Sequence, residues 1–177
     1  MNLDINQNHF KLFGLPEGFA LQRDELDRVY RILQSQVHPD RFTHAGENEK
    51  RMSMQWAMHV NEAYQTLKKP IKRAAYLLSL HGIDPKIETN TRMPHNFLVA
   101  QMEWREALEE ANEARDGVRL SALETRLQAE MAVLYREAEA ELDQRHDYAA
   151  AATTFRKLLF LEKLGEEIHY AITELDD

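Results

Sequence analysis

Apolar residues recur along the first half of this chain at the three-and-four spacing of amphipathic helices, interrupted by proline and glycine. His9 to Leu15, HFKLFGL, has room for only one or two helical turns before Pro16. From Arg23, the residues Leu26, Val29, Tyr30, Leu33 and Val37 follow at helical spacing. Pro39 ends that helix, because its ring disfavours the α conformation at His38 and removes a backbone donor. Asp40 to Asn48 reads as a polar loop, and the period restarts with Trp56, Ala57, Val60, Ala63, Tyr64 and Leu67. The two long helices are expected to pair as an antiparallel hairpin. Pro70 suits the first turn of a fourth helix, whose apolar face runs from Ile71 to Leu80 and which Gly82 stops.

From Pro94 the pattern predicts three more helices, about 95–115, 118–145 and 148–175, with turns at Asp116-Gly117 and His146-Asp147. Short connections imply antiparallel neighbours. The middle helix carries Leu120, Leu123, Leu127, Met131, Leu134, Ala138 and Leu142, the seam of a small bundle. The last carries Ala151, Phe155, Leu158, Leu161, Ile168 and Ile172. On the first, Phe97, Ala100, Trp104, Leu108 and Ala111 lie within about 40° of Trp104 at 100° per residue. Leu98, Val99 and Met102 project about 120° to 160° away, onto the face of Glu103, Glu106 and Glu110. Phe160 is displaced in the same way from the Leu158 stripe. An apolar cluster rimmed by carboxylates has the anatomy of a protein-binding face.

Composition narrows the class. Only 6 glycines and 5 prolines occur in 177 residues, which favours long helices and argues against a β-sandwich. There is no cysteine, so disulfides, thiolate metal sites and a cysteine nucleophile are excluded. The first residues, MNLDINQNHF, carry no signal-peptide pattern and no run is long enough to span a membrane, so a cytoplasmic protein is expected. Residues 1–84 carry a net charge of +1 and residues 85–177 a net charge of −9. The break falls in the turn-rich segment HGIDPKIETNTRMPHN, which places a linker at 85–94 between domains at 1–84 and 95–177. The acidic total and the lack of a basic stripe argue against nucleic acid.

The tripeptide His38-Pro39-Asp40 sits in the turn between the two long helices. Alone it is a proline-terminated helix with a polar turn. Its setting is more specific: Arg28 and Arg31 lie on one stripe leading to the turn, and the following helix carries VNEAYQTL. Together these resemble the J-domain, the module with which co-chaperones engage heat-shock ATPases of the DnaK type. The resemblance implies that His38, Pro39, Asp40, Arg28, Arg31 and Arg41 contact the ATPase and promote ATP hydrolysis. Physically, Pro39 would stiffen an exposed turn and so present His38 and Asp40 at low ordering cost.

Over nearly its whole length the chain further resembles the HscB family of iron–sulfur co-chaperones. The strings that carry the likeness are FKLFGLP, VNEAYQTL followed by PIKRAAYLLSLHG, FLVAQMEWREALEEA and RKLLFLEKL. The fold implied is all-α: an N-terminal J-domain, built as a helical hairpin with short flanking helices, followed by a C-terminal three-helix bundle. The function implied is a co-chaperone that stimulates a specialised heat-shock ATPase of the HscA type. It also delivers to that ATPase an iron–sulfur scaffold protein of the IscU type, assisting cluster assembly and transfer. The family's scaffold contacts fall on Leu98, Val99, Met102, Glu103, Glu106, Glu110 and Phe160. No resident metal or cofactor is expected.

Catalytic chemistry finds little footing. The eight histidines form no HExxH pair, and there is no glycine-rich phosphate loop and no GxSxG elbow. Glu166 and His169 supply one Glu-x-x-His spacing of the kind used in di-metal carboxylate bundles, without a second. The rival classes are therefore a metal-carboxylate helical bundle enzyme and a bare helical scaffold.

Overall fold

A computed structural model describes residues 7–42, 45–84 and 93–176. The described elements are all helical. Contacts divide the chain into two compact units, Met1–Leu77 and Leu78–Asp177. The linker expected at 85–94 falls mostly outside the described residues.

The first unit contains α1 (His9–Phe13), α2 (Arg23–Val37), a 3-10 turn (Pro39–Phe42), α3 (Glu47–Lys68) and most of α4 (Pro70–Leu80). Helix α1 is short because both ends are capped at once. The Asn8 side chain accepts from the Lys11 backbone N–H, and Gly14 takes the left-handed conformation, φ 64°, in which its N–H reaches carbonyls of the last turn. Phe10, Leu12 and Phe13 then enter a core shared with Leu26 and Leu33 of α2 and with Val60, Ala63 and Leu67 of α3. Helices α2 and α3 run antiparallel, with Tyr30 stacked on Tyr64 at 3.9 Å between ring centroids. Tyr64 donates to the Asp27 carboxylate at 2.9 Å, and Tyr30 donates to Asn61 at 3.3 Å.

Helix α3 starts earlier than its apolar stripe suggests. The expected loop 40–48 is shortened at both ends, by the 3-10 turn and by helix from Glu47. Glu49 makes this polar start stable by accepting from the Gly46 backbone N–H at 3.3 Å.

The second unit is built on α5 (His95–Glu113), α6 (Gly117–Glu139) and α7 (Tyr148–Asp176). The Asp116 side chain accepts from the Arg119 N–H and starts α6. Trp104, Leu120, Leu127, Leu158, Leu161 and Ile168 are almost wholly buried, and the Arg126 guanidinium lies 4.4 Å from the Trp104 ring centroid. Gly165, inside α7, lets α6 approach closely: a Cβ there would meet the Leu127 side chain at 3.3 Å.

One expectation is corrected. The helix predicted over 118–145 keeps its α form only to Glu139, and Ala140–Arg145 is a π-helical turn. His146, at φ 52°, then reverses the chain. The wider turn carries Glu141 into the interior, where it is 4% exposed beside buried Thr154. Burial pushes the Glu141 carboxyl above the usual carboxylate range, while the Thr154 hydroxyl and Arg145, 3.7 Å away, act against that rise.

Candidate functional site

Two surfaces carry the residues singled out by the sequence. On the first unit, α2 stops at Val37 because Pro39 follows, and His38 adopts an extended conformation with φ −62° and ψ 128°. The 3-10 turn then places Asp40 and Arg41 just outside the helix end. His38 and Asp40 have side chains 51% and 86% exposed, with 3.6 Å between Nδ1 and the carboxylate. The Asp40 backbone N–H donates to His38 Nδ1 at 3.3 Å. With Nδ1 accepting in this contact, Nε2 is the ring nitrogen left to donate.

The three arginines differ. Arg28 is held on its own helix by Glu25, with contacts of 2.8 and 2.6 Å, and that pairing lowers the Glu25 pKa. Arg41 folds back to donate to the Ser35 carbonyl at 3.2 Å, covering one of the last acceptors of α2. Arg31 is exposed and has no ion-pair contact among the described residues. The open part of the site is therefore His38, Asp40 and Arg31. Beside the turn lies a cleft of about 240 Å³ lined by Val37, Phe42, Met52 and Trp56. Sequence reading missed it, because Trp56 sits on the apolar stripe and reads as core.

On the second unit, α5 presents Leu98, Val99 and Met102 at 46%, 41% and 63% exposure, next to exposed Glu103, Glu106 and Glu110. Helical phase alone had separated these residues from the Trp104 stripe, and the structure leaves them uncovered.

Phe160 behaves differently. It is half-buried, with its ring edge-on to Phe97 at 5.7 Å between centroids and the Arg105 guanidinium 5.7 Å from its ring. The expectation that Phe160 lies outside the core is corrected to this intermediate position. Arg105 also meets Glu167 of α7 at 3.5 Å, so it ties α5 to α7 at the edge of the patch. Arg105 belongs to this face and was missed. Arg105 was findable, since it lies one helical turn after Met102 on the side turned to α7.

Among the described residues, no group of three or more His, Asp or Glu side chains is placed to hold a metal ion. His169 comes no nearer than 4.0 Å to Glu124 of α6. No described helix is long and apolar enough to cross a membrane.

Comparison with known proteins gives a consistent result. Residues 8–76 match the family model of the DnaJ domain, and residues 93–169 match that of the HSCB C-terminal oligomerisation domain. The co-chaperone protein HscB homolog of Aromatoleum aromaticum is 48% identical over 176 residues, covering 99% of each chain. That of Paraburkholderia phymatum is 50% identical over 173 residues, covering 98% of each. Among solved structures, chaperone HscB from Vibrio cholerae superposes with a TM-score of 0.83 at 39% identity, covering 96% of this chain and 99% of that one. Human co-chaperone HscB superposes with a TM-score of 0.88 at 29% identity, covering 95% of this chain and 83% of that one.

Proposed function

Because this chain belongs to the HscB family of J-domain co-chaperones, we propose that it couples a specialised DnaK-type heat-shock ATPase to an iron–sulfur scaffold protein. The first unit stimulates ATP hydrolysis by the chaperone, and the second delivers the scaffold to it. Cluster assembly and transfer to recipient proteins are assisted in the cytoplasm. The protein does no bond-breaking chemistry itself and acts on its partner's turnover.

The observation that supports this reading best is the uncovered apolar face of Leu98, Val99 and Met102 on α5, set among carboxylates. A hydrophobic centre with a charged rim suits a specific partner, and the carboxylates Glu103, Glu106 and Glu110 favour a basic surface on it. At the other surface, His38 and Asp40 are presented on a turn whose backbone is already ordered by Pro39 and by the Asp40 N–H to His38 contact. A partner therefore gains a donor from the imidazole and an acceptor from the Asp40 carboxylate at little further entropic cost. A cation, such as a chaperone arginine, is the natural complement of Asp40. Arg31 adds steering towards an acidic patch, whereas Arg28 must first leave Glu25 to contribute.

The test is steady-state ATP turnover by the purified chaperone, alone, with this protein, and with this protein plus scaffold. Stimulation by the protein, increased further by scaffold, is the expected result. Absence of stimulation, or stimulation indifferent to scaffold, overturns the reading.

A further inference from the structure

The apolar face on α5 contains one side chain whose reactivity its docking role does not use. Met102 is 63% exposed, more than its neighbours Leu98 and Val99, so its thioether sulfur is open to small solutes. Aliphatic and phenyl side chains do not react with dilute peroxide, and the chain has no cysteine to be consumed first. Within Leu78–Asp177 the other two methionines, Met93 and Met131, are partly buried. The most accessible soft nucleophile of the second unit therefore sits at the centre of the surface that a partner must cover with apolar groups.

We propose that Met102 is a peroxide-sensitive modification site, whose conversion to the sulfoxide in the free protein weakens its binding of the scaffold protein and whose reduction restores binding. The inference rests on the docking role of this face stated above. In the reaction the sulfur lone pair attacks one oxygen of hydrogen peroxide, the S–O bond forms as the O–O bond breaks, and sulfur is oxidised by two electrons while the peroxide is reduced. The leaving hydroxide takes the proton from the newly bound oxygen, so the products are the sulfoxide and water. The sulfoxide oxygen is a strong acceptor. Burying it against an apolar partner without a donor is unfavourable, whereas in the free protein it stays hydrated, so oxidation weakens the complex and spares the fold.

The experiment treats the full-length protein with hydrogen peroxide, maps sulfoxides by mass spectrometry, and measures scaffold binding by calorimetry. Wild type and Met102→Leu are compared before and after oxidation, and after a methionine sulfoxide reductase. Oxidised wild type should bind about tenfold more weakly or worse, with recovery on reduction, while oxidised Met102→Leu should bind like its untreated form. Exposed Met52, Met54 and Met58 of the first unit are oxidised in both proteins and so act as an internal control. An equal loss in Met102→Leu, full binding by wild type carrying the Met102 sulfoxide, or a Met102 that resists peroxide while Met58 reacts would each overturn the proposal. If the untreated protein fails to bind scaffold, the docking role itself is wrong, and the sulfoxide map still decides whether Met102 is the reactive residue.

Discussion

Truncating Leu98 and Met102 to alanine should weaken scaffold binding and leave the fold unchanged. In the free protein these residues expose 46% and 63% of their surface, and that area is what a partner can bury. Fully burying a leucine or methionine side chain is worth about 1.5–3 kcal/mol, so roughly half of one and two thirds of the other comes to about 2–3 kcal/mol. That corresponds to a Kd raised about 30- to 150-fold. Neither side chain is among the buried residues that hold α5 to its neighbours, a role filled by Phe97, Trp104 and Ala111. Phe160→Ala is the contrasting variant. It removes the edge-on contact with Phe97 and the surface on which Arg105 rests, so it should lower stability by about 1 kcal/mol or more as well as weakening binding. Calorimetric titration with scaffold, paired with thermal melts of the same samples, separates the two effects. If Leu98→Ala/Met102→Ala binds within about threefold of wild type, or melts more than about 4 °C lower, then the face or the helix phase has been misassigned.

Three further outcomes are expected. His38→Gln should abolish stimulation of chaperone ATP turnover with an unchanged circular dichroism spectrum, because His38 is exposed and the helix stop is set by Pro39; undiminished stimulation would remove the turn from the mechanism. Replacing Glu103, Glu106 and Glu110 with glutamine should mainly slow association with scaffold and flatten its salt dependence, read by stopped-flow at several ionic strengths; an unchanged salt slope would show that these carboxylates do not face the partner. Glu141→Gln should change the pH profile of stability. Burial raises the Glu141 pKa in the folded protein above its unfolded value, so its stabilising contribution is full below the unfolded pKa and is lost as pH rises through the folded one. Melts from pH 4 to 8 should therefore show Glu141→Gln gaining on wild type as pH rises, and a constant or reversed difference would mean that Arg145 and Thr154 fully compensate the charge.

How far the sequence could be read depended on whether each feature is local. The end of α2 at Pro39, the start of α4 at Pro70 and the stop of α1 at Gly14 follow from φ restrictions and missing donors that act within one or two residues. The outward phase of Leu98, Val99 and Met102 follows in the same way, because a helix of known period has only one face on which Trp104, Phe97 and Ala111 can be buried together. These local rules, with VNEAYQTL and FLVAQMEWREALEEA, were enough for the all-helical class and for the two candidate surfaces.

What the sequence could not determine is every feature set by a partner distant along the chain. Phe160 looks stranded on the wrong side of α7 until Phe97 and Arg105 arrive from α5, 63 and 55 residues earlier in the numbering. The helical period cannot anticipate this, because it describes each helix around its own axis and not which neighbour stands at which angle. The readiness of the arginines was hidden too: Arg28, Arg31 and Arg41 have the same charge in sequence, yet short contacts with Glu25 and Ser35 hold two of them. The π-turn is the clearest case, since the residues 140–145 continue the helical stripe. That turn places Glu141 beside Thr154, and only the packing of α6 against α7 decides that a carboxyl is buried there. Helix ends and helix faces are written in local steric and hydrophobic preferences, whereas the burial of a charge or a ring is a free-energy balance among groups that only the folded chain brings together.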